Sequence, residues 1–428
     1  MTTYTAFLAR KHARVETPGR EIASTDIHPL LHPWQNDLVR WAVRTSRAAI
    51  WADTGLGKTL MQLEWARHSG LRPLVIAPLA VCHQTVREAG RISLPASYAR
   101  SGEEPVDGVT VTNYERLPQF SPTDYDAVVL DESSILKQSD GATRTMLIDW
   151  CRNIPHRLAC SATPAPNDPE ELTNQAEWLG RMSRTNMLAA YFIHDQDGWR
   201  LKGHARQPMM QWMAQWAVAL TKPSDVGGDD AGYDLPGLEV VPEIVAAEIE
   251  AEGQLFATDI GGVTGRSALR KQTLGARVER AAKLAADEPG PWIMWCGLNS
   301  EADALTASIP GAVNVHGSLD ADDKARLLLD FADGKYDVLV TKPSIASQGL
   351  NYQHCARMAF VGLGDSYEQY YQAIRRCYRY GQTRVVRAHV IVSDLESQIA
   401  ANVARKERQA NQITTELVAE MRRNWSAA

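Results

Sequence analysis

Along most of the chain, short runs of β-branched and other apolar residues alternate with stretches in which apolar residues return every three or four positions. The short runs at 48–51, 74–77, 109–112, 127–130 and 157–161 are mostly apolar at consecutive positions, which predicts strands buried on both faces. A second set follows at 292–296, 312–315, 337–341, 357–361 and 387–392. Strands alternating with helical stretches predict parallel sheets flanked by helices, so the expected fold class is α/β. Residues 173–236 break the alternation. They are rich in Trp, Met and Gln at helical spacing and end in glycines and acids over 224–236, which predicts a helical segment and an exposed linker. Near the C-terminus Leu395, Ile399 and Val403, then Ile413, Leu417 and Met421, recur four apart and predict one or two amphipathic helices. The expected organisation is a first lobe over 1–172, the helical interlobe segment and linker over 173–236, a second lobe over 237–393 and C-terminal helices over 394–428.

Length agrees with two lobes, because 428 residues exceed what one ordinary core supports. Hydrophobic residues make up 44% and charged residues 22%, the balance of a soluble globular chain. No apolar run reaches the roughly 18 residues of a spanning helix. The N-terminus has no basic start followed by an apolar stretch, so a cytoplasmic protein with no membrane partner is expected. Cys82, Cys151, Cys160, Cys296, Cys355 and Cys377 are scattered without a Cys-x-x-Cys pair and predict buried, reduced thiols. His28 and His32 lie four apart but beside prolines and without an acidic neighbour, which argues against a metal there. A net charge of −6 does not advertise a nucleic-acid binder. It leaves room for one that holds phosphates with backbone amides, helix N-termini and a few local cations.

Three short stretches carry chemistry. Ala52, Asp53, Thr54, Gly55, Leu56, Gly57, Lys58 and Thr59 follow an apolar strand and precede the helical run 60–68, the context of a phosphate-binding loop. In such a loop Gly55 and Gly57 let backbone amides face a β-phosphate, Lys58 reaches the β and γ oxygens, and the Thr59 hydroxyl binds Mg²⁺. Asp131 and Glu132 end the strand at 127–130. There Asp131 can hold the metal's water shell while Glu132 orients and deprotonates an attacking water. Ser161, Ala162 and Thr163 follow the next strand, small hydroxyl groups placed to link nucleotide state to lobe closure.

In order along the chain, Gln35, the 54–59 loop, Asp131 with Glu132, Ser161 to Thr163, Gly349 to Asn351, and Gln372 with Arg376 and Arg379 resemble the motifs of superfamily 2 helicases. Within that group the chain looks most like the Swi/Snf-type DNA-dependent ATPases, on Thr-Gly-Leu-Gly-Lys-Thr, on Val111 to Glu115, on Leu235-Pro236, and on Arg379-Tyr-Gly-Gln382. Asp-Glu-Ser-Ser stands where that family has Asp-Glu-Ala-His or Asp-Glu-Gly-His, and the insertions between lobes are short. Together these fit a compact motor of the kind in phage and bacterial genomes.

The resemblance implies two RecA-like P-loop lobes with ATP and Mg²⁺ in the cleft between them. It implies that Gln35 reads the adenine and that Thr54, Gly55, Leu56, Gly57, Lys58, Thr59 and Gly349 contact the nucleotide, with Thr59 and Asp131 at the metal. It also implies that Gln372, Arg376 and Arg379 act from the second lobe together with Lys58, Asp131 and Glu132. The two arginines lie three apart on a predicted helix, hence on one face. Segments 77–79, 112–114, 316–318 and 341–351 would follow a nucleic-acid backbone. The expected activity is hydrolysis of ATP to ADP and phosphate, stimulated by DNA, in a monomeric translocase or helicase with a C-terminal brace. Two other readings remain open: an RNA helicase or RNA-dependent ATPase, and a nucleotide-gated scaffold that recruits a nuclease.

Overall fold

The computed structural model describes residues 18–104, 107–138, 141–196, 198–245, 272–346, 351–362, 364, 366–393 and 397–426. Gly349 and Leu395 lie outside the described residues, and of Ile399 and Val403 only the helical backbone is described. The chain divides into two compact units, Met1–Ala231 with Arg408–Ala428, and Gly232–Glu407.

The strands of the first unit are β1 Arg47–Ala52, β2 Pro73–Ala77, β3 Ala96–Tyr98, β4 Val109–Asn113, β5 Ala127–Leu130, β6 His156–Cys160, β7 Phe192–Asp195, β8 Gly198–Leu201 and β9 Ala217–Leu220. Its helices are α1 Pro33–Thr45, α2 Lys58–Ser69, α3 Leu79–Arg91, α4 Ala142–Cys151, α5 Leu172–Trp178, α6 Arg184–Tyr191 and α7 Arg206–Met213. Seven strands pair in the order β3-β4-β2-β5-β6-β1-β9, all parallel. Ile50, Val75, Ile76, Val128, Val129, Leu130 and Leu158 are wholly buried at its centre. That is why these runs are apolar without alternation. Helix α1 starts at Pro33, whose missing N–H costs nothing at the first helical position. It buries Trp34, Leu38, Val39, Ala42 and Val43 and packs on α2 and β1.

Residues 173–231 do not form a separate helical segment. They belong to the first unit and supply its last strand, β9, which runs beside β1 with Ile50 opposite Val218. Aromatic packing explains the difference: Trp216 meets Trp51 of β1 edge-on at 6.0 Å and Trp212 of α7 at 5.2 Å, fastening this Trp-rich stretch to the central sheet. Strands β7 and β8 form an antiparallel hairpin. The glycine- and acid-rich stretch that follows is not a free linker at its start. Asp225 is buried, accepting from Thr221 N at 2.7 Å and Thr221 Oγ1 at 2.8 Å and pairing with Arg422 at 3.0 Å.

In the second unit the strands are β10 Leu238–Val245, β11 Trp292–Trp295, β12 Val313–Val315, β13 Val338–Thr341, β14 Arg357–Phe360 and β15 Val386–Ser393. The helices are α8 Leu274–Asp287, α9 Asn299–Ser308, α10 Ala321–Ala332, α11 Pro343–Ala346 and α12 Tyr367–Ile374, followed by α13 Ser397–Ser426. The sheet order is β10-β15-β14-β11-β13-β12, again parallel throughout. Both units thus carry a parallel sheet whose strands alternate with helices, the expected α/β fold class. In the second core Arg277 of α8 and Glu301 of α9 form a buried ion pair at 2.8 Å. Glu301 also accepts from the main-chain N–H groups of Gly297 (2.7 Å) and Leu298 (2.9 Å), and Arg277 bonds the Val361 carbonyl and Thr273 Oγ1.

Within the first unit, Ile413, Leu417 and Met421 of α13 are buried. The Ala219 N–H of β9 meets Met421 Sδ at 3.0 Å, and Arg206 of α7 pairs with Glu416 at 2.6 Å. No helix among the described residues is long and apolar enough to cross a membrane.

Candidate nucleotide-binding site

The first unit builds its site at the carboxyl ends of β1 and β5. The loop after β1 turns through Gly55 (φ 86°) and Gly57 (φ 74°), left-handed conformations that favour glycine. A Cβ on Gly57 would lie 2.3 Å from Gln35 Nε2, so a side chain there displaces the Gln35 amide. Gln35 is buried. Its Nε2 donates to the Leu56 carbonyl at 3.0 Å and its Oε1 accepts from His32 N at 2.8 Å, tying the start of α1 to the loop. Lys58 opens α2 and folds back over the loop, its Nζ donating to the carbonyls of Ala52 (2.8 Å) and Asp53 (3.2 Å). The Asp53 carboxylate takes the Thr54 N–H at 2.6 Å, which fixes the turn before the glycines.

Asp131, just past β5, is buried, and the amide of Gln62 on α2 donates to its Oδ1 at 2.6 Å. Burial pushes this carboxyl up, against the Gln62 amide, the Lys58 ammonium and the Glu132 backbone N–H, which all favour its ionised form. The neighbouring Cys82 and Cys160 thiols are raised too, first by burial and then by the Asp131 charge, Cys82 to about 12. Tyr114 donates its hydroxyl to the Asp131 carbonyl. Thr59, the second residue of α2, and Asp131 offer hydroxyl and carboxylate oxygens, hard donors of the kind Mg²⁺ takes. With the lysine and positive-φ glycines beside them, the residues present fit a magnesium-bound nucleotide.

Gln62 was not singled out by the sequence reading. Its signal is a polar residue four positions after Lys58, in a helix that also buries Met61, Leu63, Glu64, Trp65 and Ala66.

Glu132 sits at φ 50°, ψ 56°, left-handed backbone that a non-glycine residue adopts at a cost. Ser161 Oγ reaches Glu132 Oε2 at 3.4 Å and accepts the Thr163 N–H at 3.0 Å. The tripeptide after β6 is therefore wired to the second acid of the pair. Glu171 follows closely. It is buried, accepts from Asn167 N (3.0 Å) and Nδ2 (2.9 Å), and is pushed up by burial to about 7.

The second unit carries Gln372, Arg376 and Arg379, but the arginines do not share a helix face. Helix α12 stops at Ile374, whose carbonyl accepts from both Cys377 N (3.1 Å) and Tyr378 N (2.9 Å), and the Arg376 carbonyl is taken by Tyr352 N at 2.8 Å. Tertiary bonds thus turn the chain where local spacing alone continues the helix. Arg376 is buried and donates to Gln372 Oε1 at 3.2 Å. Arg379 is half-buried, and desolvation followed by the Arg376 charge lowers it to about 10. The two guanidinium groups are therefore close enough to repel.

The segments expected along a nucleic-acid backbone differ among themselves. Thr112, Asn113 and Tyr114 are buried, and Thr112 Oγ1 bonds the Ala99 carbonyl at 2.9 Å. Thr341 is likewise interior, bonding the Val315 carbonyl at 2.8 Å. Around Gly317 the turn is exposed, with His316 Nδ1 2.7 Å from Ser318 Oγ and Lys324 Nζ on the Gly317 carbonyl at 2.6 Å.

Comparison with known proteins adds three findings. The helicase conserved C-terminal domain family matches residues 281–381. Over 433 residues the chain is 22% identical to the DNA annealing helicase and endonuclease ZRANB3 of Mus musculus, an alignment covering 88% of this chain and 40% of that protein's length. Among solved structures it is similar to the Sulfolobus solfataricus SWI2/SNF2 ATPase core in complex with dsDNA, at 16% identity and a TM-score of 0.46, over 94% of this chain and 99% of that one. The helicase match runs through the arginine turn itself, with the phosphate loop and acid pair before it in the chain, and these similarities support a superfamily 2 helicase of the Swi/Snf type.

Proposed function

We propose that this protein is an ATP-dependent DNA translocase or helicase that hydrolyses ATP to ADP and phosphate and is stimulated by DNA. The observation that carries this reading is the single network in which the phosphate loop, Lys58 and Asp131 are drawn together, Lys58 on the loop carbonyls and Gln62 linking α2 to the acid. In this reading the loop amides and Lys58 bind the phosphates, and Thr59 and Asp131 hold Mg²⁺. The metal, when bound, supplies neutralising charge at the phosphate oxygens. Glu132 orients the attacking water and takes its proton. Its left-handed backbone and the Ser161 contact support a side chain preset for that task. Arg376 and Arg379 contribute the cations that meet charge developing on the transferred phosphoryl group, with Gln372 steadying Arg376. DNA as the stimulating polymer rests on the kinship with the mouse DNA annealing helicase.

The test is ATP turnover without nucleic acid and with double-stranded DNA, single-stranded DNA or RNA, for wild type, Lys58→Ala, Glu132→Gln and Arg379→Ala. DNA-stimulated turnover is expected, abolished by Lys58→Ala and Glu132→Gln and lowered to a small but measurable residual rate by Arg379→Ala. Unchanged turnover in the variants refutes the mechanism, and stronger stimulation by RNA than by DNA replaces the polymer.

A further inference from the structure

The turn carrying Arg376 and Arg379 is irregular, so no helix holds its shape, and its two guanidinium groups push against each other. Something else must fix it. Gln382 is buried three residues after Arg379. Its Nε2 lies 3.0 Å from the Gln353 carbonyl, 3.0 Å from that of Cys355 and 3.2 Å from that of Cys377. Its Oε1 accepts from the N–H groups of Thr383 and Arg384, both at 3.0 Å, and its own N–H donates to the Arg379 carbonyl at 3.0 Å. One side chain thus joins the loop leading into β14, the arginine turn and the approach to β15. Gln353 returns the contact, its Nε2 donating to the Tyr380 carbonyl at 2.6 Å.

We propose that Gln382 is the positioning residue of the arginine turn: by clamping the main chain at 353, 355 and 377 it holds Arg376 and Arg379 in the arrangement that ATP hydrolysis uses. This rests on the function proposed above. A positioning role differs from a merely structural one because its effect passes through the arginines alone. Gln382→Met keeps the side-chain length and removes every polar atom. It is expected to lower kcat about five- to tenfold, the worth of a buried hydrogen bond or two, with KM for ATP unchanged because the phosphate loop is untouched.

The decisive comparison is a double-mutant cycle with Arg379→Ala, run on the full chain with DNA. If Gln382 acts through the turn, adding Gln382→Met to Arg379→Ala slows turnover little further. An equal slowing in both backgrounds overturns the proposal, as does a rise in KM without loss of kcat. Should Gln382→Met fail to fold, Gln353→Met removes the bond to the Tyr380 carbonyl from the other side. It is expected to give a smaller loss of the same pattern, and additivity there also overturns the proposal. Failure of the underlying function is recognised separately, by Lys58→Ala retaining turnover.

Discussion

Glu171 provides a pH test whose sign follows from its surroundings. Buried and facing Asn167, its carboxyl is raised from 4.5 to about 7. Burial is the leading cause, and the two bonds from Asn167 and the Lys137 charge only partly offset it, while Asp168 adds to it. The folded state therefore holds this proton more tightly than the unfolded chain does. Its stabilising contribution is full below about pH 4.5 and is lost as pH rises through about 7. A displacement of roughly 2.5 units at 1.36 kcal/mol each makes the loss about 3 kcal/mol by pH 8.

Glu171→Gln replaces a neutral acid by a neutral amide, so the variant should match wild type near pH 5 apart from a constant offset as the Asn167 amide turns over. By pH 8 it should be the more stable by up to about 3 kcal/mol. Because the chain has two units, a global melt mixes their transitions. Amide hydrogen exchange of α5, compared between wild type and variant at each pH, reads the local stability directly. A wild-type-to-variant difference that stays constant from pH 5 to pH 8 refutes the reasoning.

Two further predictions concern the core and the loop. Glu301→Leu strands the Arg277 charge in the second core and should cost about 3–5 kcal/mol, while the double variant Arg277→Met, Glu301→Leu should cost less than that single change. Amide hydrogen exchange of α8 and α9 in the four proteins of the cycle checks this, and additive losses contradict it. Gly57→Ala imposes a side chain at φ 74° and pushes Gln35 off the Leu56 carbonyl. It should weaken binding of a fluorescent ATP analogue at least tenfold, given a left-handed penalty of roughly 1–2 kcal/mol plus the lost bond, with α-helical circular dichroism unchanged.

The ten strands expected from consecutive apolar runs are all present within about two residues, because buried parallel strands must be apolar at every position and few other elements are. Their phosphate loop and acid pair were legible for the same local reason: each needs a strand, a turn and fixed residue types in immediate succession. What failed to show was long-range. Strand β9 reads in sequence as part of a helical stretch, and only Trp51 facing Trp216 makes it the neighbour of β1. Arg376 and Arg379 read as helical by spacing, yet Tyr352 takes the Arg376 carbonyl from more than twenty residues away. Gln62 escaped notice, and Gln382 shows in sequence only as the end of Arg379-Tyr-Gly-Gln382, because a glutamine's contacts cannot be read until its partners, 69 and up to 29 residues distant, are known.

The bond from Ala219 to Met421 spans 202 residues and sets an order of events during synthesis. When β9 leaves the ribosome, the segment that covers it has yet to be made. At ~5–20 residues per second that wait is about ten to forty seconds, during which the whole second unit is produced. The nascent first unit thus carries an uncovered apolar strip around β9 and α7 through that interval, a window for a chaperone to act, and a chain terminated before residue 413 keeps that strip exposed permanently.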